Sequence, residues 1–273
     1  MVPLMLVQRS CRKRRFTIEV KNLLLKMISS IRRLVSFPLS KNISTTTRLT
    51  KEIMSDKQEK AMSENCFLVS KQDKVIGTAS KRDCHKVQAN GNILLHRAFS
   101  IFLFNGHGDL LLQKRSSNKI TYPDHYTNSC CSHPIADVPG EEVEENALGV
   151  KRAAIRRLNF ELGIPVDSMK VEDFTYLTRI IYKDEGNGKW GEHEIDYILF
   201  LKGDYKLHPN PDEISEISYV PRNEVDNYIP TLSGPLTPWF SLILKHRLKL
   251  WWDNLDDLES YIEHKKILKF ESH

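Results

Sequence analysis

The chain has 273 residues, 40% of them hydrophobic and 27% charged, with a formal net charge of +5. That length suits one domain of about 200 residues plus a tail, or two small ones, and the absence of any run of about 18 apolar residues excludes a helical membrane span. Five cysteines (Cys11, Cys66, Cys84, Cys130, Cys131), odd in number and scattered apart from one vicinal pair, point to reduced thiols rather than a disulfide framework.

Charge divides the chain. Residues 1–51 hold twelve Lys or Arg against one acid, Glu19, a net +11, so the remainder carries −6. Basic, Ser/Thr-bearing and acid-poor, with Ile28 to Val35 able to form an amphipathic turn or two, residues 1–53 are expected to be a disordered extension that acts as a mitochondrial transit peptide. A plain basic arm is the alternative, and initiation at Met27 or Met54 would shorten it, the latter giving a cytosolic form. Residues 54–64 are expected to be a linker and 65–273 the folded domain. The body is acidic and has no basic stripe interleaved with aromatics, which argues against nucleic-acid recognition.

Along the body, Cys66 to Val69 and Val75 to Gly77 read as a hairpin about Lys71-Gln72-Asp73. His96 to Phe104 reads as a buried strand, with Leu110 to Lys114 as its hairpin partner across Asn105-Gly106-His107-Gly108. The period of two puts His96, Ala98 and Ser100 on one face of that strand and Arg97, Phe99 and Ile101 on the other. Glu144 to Leu162 has helical spacing, with Ala147, Val150, Ala154, Leu158 and Leu162 on one stripe, and Gly163 with Pro165 ends it. Phe174 to Tyr182 and Glu194 to Leu201 are strand-like and are separated by Gly186-Asn187-Gly188. Thr237-Pro238 predicts the cap and first turn of a helix running to Trp252, with Trp239, Ile243, Arg247 and Leu250 in line. Strands and helices in mixed order indicate an α/β or α+β sandwich.

Two segments carry chemistry. In an extended stretch, Cys131 and His133 point to one side and can present a thiol and a ligand nitrogen to one pocket; alone, such a pair is an ordinary buried thiol and a structural histidine. Glu192 and Glu194 share a strand face, with His193 turned away. A solvated acidic edge is the bland alternative, but the apolar run Tyr197 to Phe200 marks a buried strand, where two unpaired carboxylates would be costly without a cation. With His85 and His96, these residues suit a divalent metal in an oxygen- and nitrogen-rich shell. Lys81, Arg115, Lys119, Arg156 and Arg157, taken together, would suit a diphosphate.

With these segments assembled, residues 65–270 closely resemble the type I isopentenyl-diphosphate isomerases, metal-dependent members of the Nudix superfamily. The resemblance rests on Leu94-Leu95-His96-Arg97-Ala98-Phe99-Ser100, Thr127-Asn128-Ser129-Cys130-Cys131-Ser132-His133-Pro134, Glu161-Leu162-Gly163-Ile164-Pro165, Trp190-Gly191-Glu192-His193-Glu194-Ile195-Asp196-Tyr197, Thr237-Pro238-Trp239-Phe240 and Trp251-Trp252-Asp253-Asn254-Leu255. It implies a Nudix fold, a mixed sheet flanked by helices, and interconversion of isopentenyl and dimethylallyl diphosphate in isoprenoid biosynthesis. It further implies that His85, His96, His133, Glu192 and Glu194 hold one divalent ion (Zn, Mn or Mg). Glu161 would hold Mg on the substrate diphosphate, and Lys81, Arg115, Lys119, Ser132, Arg156 and Arg157 would contact that diphosphate. Cys131 and Glu194 would be the proton carriers on opposite faces of the double bond, with Cys131 as a thiolate acceptor and Glu194 with Tyr182 as donor the first assignment and the direction left open because the reaction is reversible; Trp239 would be the aromatic beside the developing cation. A monomer is expected. Two other readings remain open at this point: a nucleotide-diphosphate hydrolase of the same fold and a catalytically silent binder of metal or prenyl diphosphate.

The chain departs from the hydrolase pattern: Arg157 and Phe160 stand where Nudix hydrolases place two metal-binding glutamates, which disfavours anhydride hydrolysis. The C-terminal Glu271-Ser272-His273 is not a peroxisomal address. Residues 1–60 fused to a fluorescent reporter should concentrate in mitochondria; a diffuse cytosolic signal would count against targeting.

Overall fold

The computed structural model describes residues 58–270. The basic extension, and hence every expectation about targeting, lies outside the described residues.

Residues 58–62, part of the expected linker, are helical and bury Met62 beside the later cavity, and the predicted hairpin follows them. Strands β1 (Asn65–Val69) and β2 (Val75–Ser80) pair antiparallel. Their turn holds Asp73 in the left-handed region (φ 61°), buried, where its carboxylate takes Arg97 Nε at 3.0 Å, Arg179 Nη1 at 2.9 Å and the Tyr197 hydroxyl. One acid thereby ties the turn to three other strands. Helix α1 (Lys81–His85) follows β2 directly, its N-terminus capped by the Ser80 hydroxyl, which accepts from the Asp83 N–H at 3.2 Å.

Strand β3 (His96–Phe104) is buried along all nine residues. Its two edges are filled differently. One edge pairs parallel, over its full length, with β8 (Glu192–Lys202), in a register that sets His96 against Glu194 and Ser100 against Ile198. The other edge is shared in succession by β1, by β6 (Cys130–Ser132) and, at the Phe104–Leu110 pair, by β4 (Leu110–Arg115). The predicted β3–β4 hairpin therefore exists only at its base. Because β6 occupies the next stretch of that edge, β4 swings away to run between β5 (Tyr126–Thr127) and β9 (Ile214–Val220). Strand β7 (Phe174–Asp184) forms the predicted hairpin with β8, Tyr182 opposite Glu194, and β10 (Glu263–Lys269) extends that edge in parallel.

Helices cover both faces, as a sandwich requires. Helix α2 (Leu148–Leu162) buries Val150, Ala154, Leu158 and Leu162 against Phe99, Ile101 and Leu103 of β3. It begins later than predicted because Asn146 and Ala147 take left-handed backbone angles, and it ends at Gly163 (φ 67°) as expected. A short helix, α3 (Val225–Tyr228), follows β9. On the opposite face, α4 (Pro238–Ile243), a π-helical turn (Leu244–Leu248) and α5 (Lys249–Trp252) pack Trp239, Phe240, Ile243, Leu248, Trp251 and Trp252 on Phe102, Phe104, Ile198 and Phe200. The predicted stripe fails here: the π turn adds one residue, so Leu248 faces inward while Arg247 is exposed and Leu250 is 48% exposed. Nor does Thr237 cap through its side chain; its hydroxyl pairs with that of Thr127 at 2.8 Å.

Leu158 is fully buried in the α2 face. Leu158→Ala should lower the unfolding free energy by about 2–5 kcal/mol in urea titration.

Candidate active site and metal centre

Each residue of the presumed cage reaches it for a local reason. His85 ends α1, and its carbonyl accepts the Gly191 N–H at 2.9 Å, which draws the helix to the start of β8. His96 opens β3, and Nδ1 faces the Leu94 carbonyl at 2.8 Å, which turns Nε2 inward. His133 follows β6, and alternation along β8 sends Glu192 and Glu194 to one face while His193 bonds the Ile93 carbonyl at 2.9 Å on the other. Side chains far apart in sequence converge: one donor atom from each of these five buried residues lies within 4.8 Å of the other four.

The contacts inside this cage bring like groups close together. The Nε2 atoms of His96 and His133 face each other at 3.2 Å, and Glu194 Oε1 stands 2.8 Å from the latter and 3.3 Å from the former. His85 Nδ1 lies 2.8 Å from Glu192 Oε2, yet both are buried without a hydrogen-bond partner. Burial and the neighbouring imidazoles push His85 well below its ordinary pKa, and burial brings His133 down to about 3, so both are neutral ligands near pH 7. Burial opposes charge on His96 as well, but the hydrogen bond and charge of Glu194 outweigh it and raise this imidazole. On protein atoms alone the two carboxylates split. Burial and the charge of Glu194 raise Glu192, whereas His133 and His96 hold Glu194 well below the usual range despite its burial. Three imidazoles, two carboxylates and unsatisfied buried lone pairs fit a divalent cation.

A cavity opens beside the cage, lined by Glu192, Glu194 and His133 and also by Cys131, Trp239 and Ser132. The Tyr182 hydroxyl donates to Glu194 Oε2 at 2.5 Å. Cys131 sits on β6 opposite Ser100, with Trp239 Nε1 at 3.0 Å from its sulfur. Burial, helped by the charge of Asp196, raises the Cys131 pKa to about 12, a direction that favours the thiol over the thiolate in these surroundings.

Of the expected diphosphate residues, Lys81, Arg115, Lys119, Ser132 and Arg157 line this cavity. Arg156 does not; it grips Glu141 at 2.6 and 2.9 Å and the His133 carbonyl at 3.2 Å. Nor does Glu161 line the cavity; its carboxylate accepts from Arg157 at 2.5 Å and Gln113 at 3.3 Å. The Arg115 guanidinium bonds the carbonyls of Tyr122 at 3.0 Å and Thr121 at 2.7 Å, which fastens the loop after β4 over the site.

Sequence reasoning passed over Glu213, which pairs with Lys119 and Arg157 and is held down to about 2 by them despite its burial, while burial lowers Lys119 to about 8. It also passed over Asp196, although the alternation that selected Glu192 and Glu194 continues to it. Asp196 is buried and accepts from Ser100 at 2.8 Å.

Residues 94–240 match the model of the NUDIX domain, so this mixed sheet between helices, with its site at the head of β3 and β8, is that of a Nudix-domain protein. Within that class, the chain is 48% identical over 217 residues to isopentenyl-diphosphate Delta-isomerase 1 of Mus musculus, covering 78% of this chain and 95% of the mouse protein. It is 47% identical over 212 residues to isopentenyl-diphosphate Delta-isomerase of Dictyostelium discoideum, covering 76% and 89%, and 42% identical over 241 residues to isopentenyl-diphosphate Delta-isomerase II of Clarkia breweri, covering 81% and 83%. The chain belongs to the isopentenyl-diphosphate Delta-isomerase family.

Protein stripped with chelator should bind one divalent ion at the cage by calorimetry and gain thermal stability from it. His96→Ala or Glu192→Gln should weaken that binding at least tenfold by rough reckoning from the loss of one ligand of five; unchanged affinity would remove the cage as the site.

Proposed function

We propose that this chain interconverts isopentenyl diphosphate and dimethylallyl diphosphate. The observation that carries the reading is one cavity bounded by a thiol, Cys131, by a carboxylate of the cage, Glu194, and by the indole of Trp239. Moving the double bond requires one proton added at the terminal methylene and another removed from the allylic carbon, through a tertiary cation-like state. Two proton carriers, an aromatic wall and exclusion of water are what that chemistry needs.

In the protonation state that the surroundings favour, the Cys131 thiol supplies the proton and the Glu194 carboxylate takes one from the opposite face; the exchanged pair, thiolate and carboxylic acid, serves the reverse direction. Tyr182 fixes Glu194 through its 2.5 Å hydrogen bond. Trp239 presents its ring to the developing positive charge, an interaction of about 2 kcal/mol or more when desolvated. The ion would be held by His85, His96, His133, Glu192 and Glu194. Zn, Mn and Mg each suit such a donor set, and a bound ion would orient Glu194 and favour its anionic form.

Lys81, Arg115, Lys119, Ser132 and Arg157 would receive the diphosphate with its Mg, while Glu161, expected on that Mg, does not line the cavity and instead accepts from Arg157 and Gln113. Arg156 serves instead to hold the segment bearing His133. No helix among the described residues is long and apolar enough to cross a membrane. We further propose a monomer that residues 1–53 direct to mitochondria.

Purified protein given isopentenyl diphosphate and magnesium should yield dimethylallyl diphosphate by proton NMR. Released phosphate would indicate a hydrolase, and no change a silent binder. Cys131→Ala and Glu194→Gln should each lower kcat by about 10²–10⁴-fold or more while circular dichroism stays that of the parent.

A further inference from the structure

Asn128 is fully buried between β5 and β6. Its Nδ2 donates to the Ile101 carbonyl at 2.9 Å and the Cys130 carbonyl at 3.2 Å; since carbonyls only accept, these two bonds decide which end of the amide is oxygen. Oδ1 is thereby turned toward three donors: the Cys131 thiol at 3.0 Å, Trp239 Nε1 at 3.2 Å and the Thr127 hydroxyl at 3.0 Å. Because the indole N–H also reaches the Cys131 sulfur at 3.0 Å, amide, thiol and indole close a triangle. Thr127 in turn meets Thr237, the residue just before α4, at 2.8 Å, so the triangle is joined to the turn that introduces Trp239.

We propose that Asn128 is a positioning residue of the isomerase, orienting the Cys131 thiol and the Trp239 indole as one unit. This rests on the isomerase reading above. A cysteine side chain has three staggered wells of similar energy, and it would be spread among them if no partner chose one. The amide oxygen selects one well and draws the S–H proton toward a fixed point. The same oxygen tethers the indole N–H, which sets the plane of the ring against the cavity. Proton donor and cation-stabilising face are thus aligned by one amide oxygen in the turn between β5 and β6, anchored to β3 through Ile101. An amide is required: a carboxylate would accept from the thiol and indole but would have nothing to give the two carbonyls, and an apolar side chain would serve neither side.

The test is Asn128→Ala, with the near-isosteric Asn128→Asp carried beside it should the smaller side chain fail to fold. Either should lower kcat by about 10–100-fold, the range expected for misplacing a reacting group by about 1 Å. KM for isopentenyl diphosphate should stay within about twofold, because the diphosphate contacts lie elsewhere. In a Cys131→Ala background the same substitution should cost less than it does in the parent, because the part that acts through the thiol is already lost. A crystal structure of the variant should show residue 131 in more than one rotamer and the indole displaced. A rise in KM equal to the fall in kcat, a fully multiplicative loss in the double variant, or unchanged Cys131 and Trp239 conformers would each overturn the proposal. The conformers are read without activity, so they judge the positioning role even if the parent protein proves not to isomerise its substrate.

Discussion

The parallel register of β3 against β8 is the constraint on which the site depends. It sets His96 beside Glu194, and a slip of one residue would send Glu192 and Glu194 to the opposite face of the sheet and His193 into their place. Burying five such side chains together is unfavourable on its own, since two carboxylates cannot both stay charged so near without a compensating cation. Their being held there at all is the strongest physical argument for a metal. The apolar residues further along the same two strands, Phe102, Phe104, Ile198 and Phe200, hold the register by packing under the C-terminal helices.

The same strands separate tasks by face. Toward α2 lies an apolar layer, broken at one end by Arg97 and Tyr197, both bound to Asp73; toward α4 lie the cage, the thiol and the indole. Because β6 shares the edge of β3 with β1 and β4, Cys131 can stand against Ser100 within the sheet itself rather than on a loose loop. Chemistry that must place a proton on one carbon and remove it from another gains from that rigidity.

Much of this was legible in the residues. Alternation identified the Glu192/Glu194 face and the His96 face because a period of two is local, and the α2 stripe was visible because its burial is regular. Asp196 was equally available from that alternation. Other features were not local. Partners of Glu213 arrive from the loop after β4 and from α2, so no spacing announces them. The π turn that moves Leu248 inward leaves no residue-type signature, and β4 parts from β3 only because a distant segment takes the edge first. The upward push on the Cys131 pKa comes from burial and from Asp196, which a sequence cannot display.

The turn at Asp73 has a consequence for how the molecule comes apart. Helix α1 continues straight from β2, so the carboxylate that moors the turn to β3, β7 and β8 also steadies the segment carrying Lys81 and His85. The β2 edge is exposed and has a single neighbour, as β10 has at the other end of the sheet, so apart from the Asp73 mooring it is open to local fraying. Detaching it would take away an imidazole and an ammonium group in one movement while the β7–β8 hairpin stayed paired. Catalytic competence in this architecture is therefore tethered to an outer margin of the sheet, with Asp73 as its mooring.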